Sequence, residues 1–357
     1  MKILFVTDLY PIGDENIAKA LFFFVQEWQK QGHRVEVIRA NFITNTLLRG
    51  RKIKEEKIYV ENGTKIYNLN FHTPFFFDVY NKLPKDFSLK NYDVMISHMP
   101  CGALMANKLL KKNKIKYICA VHCSDIQVLT NWKYLPFRNC LKKAYFNADK
   151  IAARSLILKR KIEKIIPNNK TFVAYSGTAT EIINKPLSEQ ITVTTVGSFI
   201  KRKNIDVVIN AIKEMPEVRL NIIGSGREEK KLKELAKGCS NINFLGQLVH
   251  SNVIEELKKS DIFVLLSDNE TFGLSYLEAM ATGNIVIGRK CDGIDGILQN
   301  EVNGFLINPQ KEELKKCLEK IFSMETLKLS EIRANCQETI KQYTSKSAAD
   351  NYIKKIQ

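Results

Sequence analysis

The sequence predicts an α/β protein with parallel sheets. Apolar runs of strand length alternate with amphipathic helical stretches from the first residue to the last, which is the pattern of parallel β-α units. With 357 residues, of which 45% are hydrophobic, the chain can bury two cores of ordinary domain size. A polar stretch at residues 181–190, which contains Pro186, has neither helical nor strand periodicity and is predicted to be the linker between two domains.

The predicted elements follow in order on either side of that stretch. In the first domain, residues 1–180, a helix from about residue 17 to about residue 31 follows the first strand. A second set of strands and helices occupies residues 191–344, and a last helix covers residues 345–357. The strands predicted for the first domain are residues 1–7, 34–38, 93–97, 116–122, 150–153 and 171–174.

Several features predict a cytoplasmic protein. The eight cysteines are scattered without a C-x-x-C pair or zinc spacing, so they are expected to be reduced core residues. Met1 leads directly into a strand, without the charged and apolar regions of a secretory signal. The longest apolar clusters, residues 21–25 and 74–77, are too short to cross a bilayer.

Positive charge is concentrated in the first half of the chain. Residues 1–185 contain 31 Lys and Arg against 15 Asp and Glu, a net charge of +16, while residues 186–357 contain 24 against 23, a net charge of +1. Nucleic-acid readers interleave aromatic and basic residues or carry a recognisable module, and neither is found here, so no nucleic-acid partner is expected. The open alternatives are an anionic membrane, an acidic glycan, and a solvated lysine-rich surface without a partner.

The densest basic run is expected to meet the acceptor and the membrane. This run covers residues 108–116, and the lysines expected to make the contact are Lys108, Lys111, Lys112 and Lys114. A combination of basic and apolar residues gives reversible membrane binding, in which lysines meet the headgroups while apolar side chains enter the interface. The apolar residues that lie among these lysines are Leu109, Leu110 and Ile115.

Glu270 and Glu278 are separated by seven residues, between an apolar strand and a helix. The residues before Glu270 have the composition of a strand buried on both faces, and the apolar spacing becomes helical after Gly273. Gly273 can bring the backbone close to a ligand, so that N–H groups of Phe272, Gly273 and Leu274 at the helix start face an anion such as phosphate. A carboxylate accepts hydrogen bonds, so each glutamate can bind hydroxyl groups on one side of a diphosphate. A nucleotide sugar has such hydroxyl groups on both sides, on the ribose and on the transferred sugar.

This loop resembles the E-x7-E signature of family 4 retaining glycosyltransferases of the type that builds bacterial cell-surface glycans. These enzymes have the GT-B fold, in which two Rossmann-like domains face each other across a cleft, and they use nucleotide sugars. The resemblance extends over most of residues 191–310, in the family's order. The further matching segments are residues 194–206, 220–226, 244–247, 292–293 and 303–306.

The resemblance implies a role for each matching residue of the second domain. Glu270 would contact the donor sugar, Glu278 the ribose and Lys203 the diphosphate. Ser198 stands where many members have an arginine that helps the lysine. Arg202 is the neighbouring residue that can supply this second positive charge, because phosphate oxygens accept a guanidinium fork as readily as an ammonium.

Two residues of the first domain complete the implied site. Gly13 lies in the loop after the first strand, and His122 resembles the family's strand-end histidine that faces the transferred sugar. The final helix would cross back onto the first domain, as in GT-B proteins. The implied catalytic residues are His122, Lys203 and Glu270. The implied donor-binding residues are Gly13, Ser198, Arg202, Lys203, Gly224, Gly246, Gln247, Glu270, Phe272, Gly273, Leu274 and Glu278.

The implied reaction is the transfer of a sugar from a UDP- or GDP-sugar to a glycan or lipid-linked acceptor, with retention of anomeric configuration. Synthesis of a cell-surface polysaccharide or lipopolysaccharide at the inner face of the plasma membrane is the implied role. No Asp-x-Asp motif is present, so no metal or other cofactor is expected beside the nucleotide-sugar co-substrate. Two alternatives stay open: a nucleotide-sugar 2-epimerase-like enzyme, which would act on the donor without an acceptor, and a non-enzymatic polyanion-binding protein.

Overall fold

The computed structural model describes residues 1–11, 18–43, 55–72, 78–111, 113–167, 170–185, 188 and 190–357. These residues form two compact units. The first contains Met1–Tyr175 and Ala348–Gln357, and the second contains Ser176–Ser347. Each unit has one mainly parallel sheet covered by helices, which confirms the predicted α/β class.

The first unit is built on an eight-stranded sheet. Its strands are β1 (Lys2–Thr7), β2 (Arg34–Phe42), β3 (Ile58–Glu61), β4 (Thr64–Phe71), β5 (Val94–His98), β6 (Lys116–Val121), β7 (Lys150–Ala153) and β8 (Thr171–Val173). They are arranged in the order β3-β4-β2-β1-β5-β6-β7-β8. All neighbouring pairs are parallel except β3 and β4.

Helices cover both faces of this sheet, because successive side chains of a strand point to opposite faces. In β1, Leu4 and Val6 belong to the core on one face, whereas Ile3 and Phe5 belong to the core on the other. The helices described in the first unit are α1 (Lys19–Lys30), α2 (Val79–Lys82), α3 (Met99–Leu109), α4 (Cys123–Thr130), α5 (Leu135–Phe146) and α6 (Leu156–Ile165).

The hairpin of β3 and β4 is absent from the predicted strands. Its turn is Asn62–Gly63, where both residues have positive φ, 49° and 73°. An Asn-Gly turn between strand-forming residues is a strong local signal for a hairpin, because its twist matches that of the flanking strands. The sequence therefore contained this information, and the structure adds two strands to the six predicted for the domain.

The last helix belongs mostly to the first unit. This helix, α13 (Ser345–Ile356), corresponds to the helix predicted over residues 345–357, and Ala348–Gln357 cluster with the first unit. The indole Nε1 of Trp28 donates a hydrogen bond to the Ala349 carbonyl at 3.2 Å. The ring of Tyr352 packs edge-on against Trp28, with centroids 5.4 Å apart. Aromatic packing and one buried hydrogen bond thus hold α13 in place.

The second unit is built on a six-stranded, fully parallel sheet in the order β11-β10-β9-β12-β13-β14. These strands are β9 (Thr192–Val196), β10 (Arg219–Ile223), β11 (Ile242–Gly246), β12 (Ile262–Leu265), β13 (Ile285–Arg289) and β14 (Phe305–Ile307). Its helices are α7 (Ile205–Ile212), α8 (Glu229–Leu235), α9 (His250–Lys258), α10 (Leu274–Ala281), α11 (Lys311–Ser323) and α12 (Thr326–Lys341). Because the strands are parallel, the loops that follow them meet at one edge of the sheet.

The boundary between the units comes before the predicted linker. Described residues of the segment 181–190 are bonded to the second unit. The backbone N–H of Ile183 donates to the Ala281 carbonyl at 2.8 Å, and Lys185 Nζ donates to the Leu257 carbonyl at 2.9 Å. A polar segment without periodicity can therefore still pack along a domain.

Candidate functional site

The two glutamates of the E-x7-E motif lie at the carboxyl edge of the second sheet. Glu270 is in the loop between β12 and α10, and Glu278 is inside α10. Gly273 is the N-cap of α10 and has a φ of 83°. A Cβ atom at this position would lie 2.5 Å from the ring of Tyr276. Only glycine fits here without strain, and it lets the loop turn tightly into the helix.

The start of α10 offers backbone N–H groups to an anion. The first N–H groups of a helix have no intrahelical acceptor, and the helix dipole adds partial positive charge at the same end. Within the described part of the chain, the N–H groups of Gly273 and Leu274 have no protein acceptor. Phe272 is buried directly before them. This end of α10 has the chemistry of a phosphate-binding site.

Lys203 and Glu270 form a nearly buried ion pair. Lys203 Nζ lies 2.6 Å from Glu270 Oε2, and Arg202 Nη1 lies 3.5 Å from the same oxygen. Burial would raise the pKa of Glu270, but the attraction of Lys203 and then of Arg202 brings this pKa below its ordinary value. Glu270 is therefore an anion held beside two cations at the start of α10.

Two predicted glycines, Gly224 and Gly246, come together with Gly197 next to Lys203. The N–H of Gly224 donates to the Gly246 carbonyl at 2.8 Å, and a Cβ on Gly224 would overlap the carbonyl of Gly197. A Cβ on Gly197 would in turn lie 3.5 Å from Cδ of Lys203. The loops after β9, β10 and β11 thus close on one another, and the stem of Lys203 runs along them.

Two other predicted residues are exposed at the same edge. Ser198 follows Gly197 and presents its side chain to solvent. Gln247 is exposed after β11, and its side-chain oxygen accepts a hydrogen bond from the Ser225 hydroxyl at 3.0 Å. Both stand at the carboxyl ends of strands, where ligands bind in open parallel sheets.

Asp292 holds the Glu270 loop, a role that the sequence did not indicate. The backbone N–H groups of Asn269, Glu270 and Gly293 each donate to its carboxylate at 2.7 Å. A Cβ on Gly293 would come within 2.7 Å of the Glu270 carbonyl. The Asp-Gly dipeptide was visible as one of the matching segments, but its bond to a loop 22 residues earlier was not.

His250 is a second residue that the sequence did not indicate. Its Nε2 lies 2.7 Å from Oε1 of Glu278. Glu278 is almost fully buried, whereas His250 at the start of α9 is partly exposed. His250 thus occupies one oxygen of Glu278, and no hydrogen-bond partner of the other oxygen is found among the described residues.

His122 is enclosed in the first unit. It follows β6 and is the N-cap of α4: the Asp125 N–H donates to its backbone carbonyl at 3.1 Å, while the Asp125 carboxylate accepts from its backbone N–H at 3.0 Å. Its Nε2 lies 3.0 Å from Nδ1 of His98. Burial, and then the charge of Arg154, hold the pKa of His122 well below its ordinary value, so the ring is neutral. A catalytic role for His122 stays a prediction.

The predicted basic surface lines a cavity of about 580 Å³ between α3 and α5. The lysines of this surface that line it are Lys108, Lys111 and Lys114. Leu109 is fully buried, so the expectation that it enters a membrane interface is wrong. It lies on the face of α3 that packs onto the sheet, and Leu110 and Ile115 pack against the same core.

Two predicted site residues, Gly13 and Lys112, lie outside the described residues. In the part of the chain that is described, no three His, Cys, Asp or Glu side chains converge as a metal site. No described helix is both long and apolar enough to cross a bilayer.

Comparison with known proteins agrees with this geometry. Residues 179–343 match the family described as glycosyl transferases group 1, and residues 18–182 match glycosyltransferase family 4. The chain is 30% identical over 247 residues to an uncharacterized glycosyltransferase of Methanocaldococcus jannaschii. The matched region covers 69% of this chain and 67% of that protein. It is also 30% identical over 163 residues to an O-antigen biosynthesis glycosyltransferase of Escherichia coli, covering 45% and 46% of the two chains.

The fold is shared with solved glycosyltransferases. Anabaena HepE, solved in complex with UDP, aligns over 99% of both chains with a TM-score of 0.76 and 17% identity. This likeness shows the GT-B fold, and the sequence matches confirm the resemblance drawn from the E-x7-E loop. The chain belongs to the group 1, family 4 glycosyltransferases and is a GT-B enzyme that uses nucleotide sugars.

Proposed function

We propose that this enzyme transfers a sugar from a nucleotide-diphosphate sugar to a glycan or glycolipid, with retention of anomeric configuration. The observation that carries the proposal is the 2.6 Å ion pair of Lys203 and Glu270 beside the start of α10, with Glu278 further along the same helix. A cation, helix N–H groups and two carboxylates, one before α10 and one inside it, suit a diphosphate that joins two hydroxyl-bearing sugars.

The same residues account for the chemistry. As the anomeric C–O bond breaks, the leaving diphosphate gains negative charge, which Lys203 and the N–H groups of α10 stabilise. An entering diphosphate competes with Glu270 for the ammonium of Lys203 and so frees a Glu270 oxygen to accept hydrogen bonds from the donor sugar. The leaving phosphate then takes the proton of the attacking acceptor hydroxyl on the face from which it departs, so configuration is retained.

A UDP- or GDP-sugar and a cell-surface glycan are the proposed substrates. The UDP bound by HepE supports a nucleotide-diphosphate donor, and the name of the Escherichia coli relative supports a surface polysaccharide. The first alternative, a nucleotide-sugar 2-epimerase-like enzyme, would act on the donor without an acceptor. The polyanion-binding alternative gives no reason for a nearly buried pair of Lys203 and Glu270.

Thermal unfolding with a panel of nucleotide diphosphates and their sugars tests this proposal. A ligand at 100 times its Kd stabilises the native state by about 2.7 kcal/mol, so the matching nucleotide is expected to raise the Tm clearly. Lys203→Ala is the matched control, because it removes the diphosphate contact, and its Tm should respond much less. Sugar released or epimerised without an acceptor would favour the epimerase, and a response to polyanions alone would favour the binding protein.

We also propose that the enzyme works at the anionic inner face of the plasma membrane. The net charge of +16 in residues 1–185 supports this contact, as do Lys111 and Lys114 around the cavity. Pelleting with phosphatidylglycerol vesicles is expected at low salt. It should be lost as the screening length falls from about 10 Å at 0.1 M to about 3 Å at 1 M.

Two charge variants test which lysines make this contact. Changing Lys111, Lys112 and Lys114 to Glu is expected to abolish pelleting. The control with the same change in net charge replaces three exposed lysines of the second unit with Glu, namely Lys230, Lys237 and Lys316. Equal losses in both variants would mean that only the total charge matters, and a wild type that stays in the supernatant at low salt would refute the membrane contact.

A further inference from the structure

Helix α5 and the turn before it carry a row of exposed, large apolar side chains. Trp132, Leu135 and Phe146 are 76%, 59% and 60% exposed. Leu135 and Phe146 are eleven residues apart, which is about three helical turns, so they lie on the same face of α5. Single exposed apolar residues are common on soluble proteins, but three large ones on one short segment are unusual and call for an occupant.

Cations adjoin this row. Lys143 lies one turn before Phe146 on α5 and lines the cavity between α3 and α5 together with Lys108, Lys111 and Lys114. Lys111, Lys114 and Lys143 are exposed, and none of the three forms an ion pair within the described residues of the first unit. The apolar residues Leu104, Leu110 and Ile115 line the same cavity.

The cavity lies at the opposite edge of the first sheet from the two histidines. The cavity-lining residues Lys114 and Asp149 lie two residues before β6 and one residue before β7, so the cavity lies at the amino ends of these parallel strands. His98 ends β5 and His122 follows β6, so both lie at the carboxyl ends. Lys108, Lys111 and Lys114 therefore do not share a site with His122.

We infer that this face of the first unit is the docking surface for an anionic phospholipid bilayer, with Trp132, Leu135 and Phe146 in the interface and a headgroup phosphate in the lysine-lined cavity. The inference rests on the membrane contact proposed above and names the site that makes it. Interfacial helices combine Trp, Phe and Leu with adjacent lysines in this way. A cavity lined by both lysines and apolar residues also suits a phosphate that is attached to acyl chains, because both parts of the lipid find matching side chains.

The two tryptophans make insertion directly measurable. Trp28 is fully buried, so Trp132 is the tryptophan that can change its surroundings. The full-length protein is mixed with phosphatidylcholine vesicles that contain or lack phosphatidylglycerol. We expect a blue shift of tryptophan emission, and quenching by nitroxide-labelled lipids, only with phosphatidylglycerol. Trp132→Phe keeps an aromatic ring at this position and should remove both signals.

A matched pair of variants tests the apolar contribution. Leu135→Ser combined with Phe146→Ser is expected to lower the vesicle partition coefficient by about tenfold or more. The control makes the same two changes at exposed or partly exposed sites of the second unit, Leu327→Ser and Phe322→Ser, and should leave partitioning unchanged. Nucleotide-diphosphate binding should be the same in all of these proteins, which shows that they are folded.

The outcomes separate this inference from the proposals on which it rests. A wild type that binds no vesicles would refute the membrane contact and this site with it. Pelleting without a change in Trp132 emission, or pelleting of the Leu135 and Phe146 variant like wild type, would overturn this site and leave a contact made by charge alone. An equal blue shift with a DNA duplex or a soluble acidic protein would assign the face to that class of macromolecule instead.

Discussion

Replacing Lys203 with alanine is expected to lower the turnover number by about a hundredfold or more, the usual effect of removing one donor to a developing oxyanion. The ammonium lies 2.6 Å from Glu270 and beside the start of α10, where the proposed diphosphate leaves. The variant also removes the main attraction that lowers the pKa of Glu270, so this pKa should rise. As the solution is acidified, the variant is therefore expected to lose its residual activity at a higher pH than wild type does. Steady-state kinetics from pH 4 to pH 8 measure both effects.

Arg202→Ala is the control for this experiment. Arg202 lies 3.5 Å from Glu270, and its side chain is 43% exposed, so its field is better screened by water than that of Lys203. A smaller loss of turnover than in Lys203→Ala is expected if Arg202 replaces the arginine that many relatives have at the position of Ser198. No loss would make Arg202 an ordinary surface residue, and full activity of Lys203→Ala would refute the diphosphate contact itself.

The two glutamates are expected to act on different parts of one donor. Glu270→Ala should abolish sugar transfer but leave binding of the free nucleotide diphosphate intact, because it also frees Lys203 for the phosphates. Glu278→Ala should raise the Kd of the free nucleotide diphosphate by about tenfold or more, since losing a hydrogen bond to a charged group costs roughly 1.5–3 kcal/mol. Isothermal titration and a transfer assay on the same protein samples separate the two effects.

Two further variants control for indirect effects. Glu270→Gln keeps the shape of the side chain and removes its charge, so it should lose transfer as Glu270→Ala does. His250→Ala removes the donor 2.7 Å from Glu278 and keeps the carboxylate, so a smaller loss of nucleotide affinity than in Glu278→Ala is expected. Equal and small effects of Glu270→Ala and Glu278→Ala would contradict the assignment of separate roles.

The fold class and the positions of the two glutamates relative to their helix could be predicted because they depend on local patterns. The alternation of strand and helix periods determines the parallel α/β class. The change of period at Gly273, together with the spacing of Glu270 and Glu278, determines that one carboxylate lies before the helix and one inside it. The resemblance placed Gly224 at a strand end, and in the structure it follows β10 with a positive φ of 143°, which glycine adopts readily.

Which apolar residues lie on the surface and which lie in the interior was harder to predict from the sequence. Leu109 stands among lysines in the sequence, yet it is fully buried, because every third or fourth position of α3 faces the sheet. Trp132 and Phe146 are large apolar residues of the kind that usually lie in a core, yet both are exposed. Burial depends on which side of a helix meets another element, and one helix's sequence does not state where that element lies.

Only the tertiary structure decided which side chains hold the predicted site residues in place. Asp292 receives three backbone N–H groups around the Glu270 loop, His250 binds Glu278, and His98 binds His122 across neighbouring strands. Where these bonds link separate elements, the two partners are 22 to 28 residues apart in the chain. Parallel strands bring such distant loops to one edge of the sheet, and a hydrogen bond then depends on distances of about 3 Å that no local periodicity encodes.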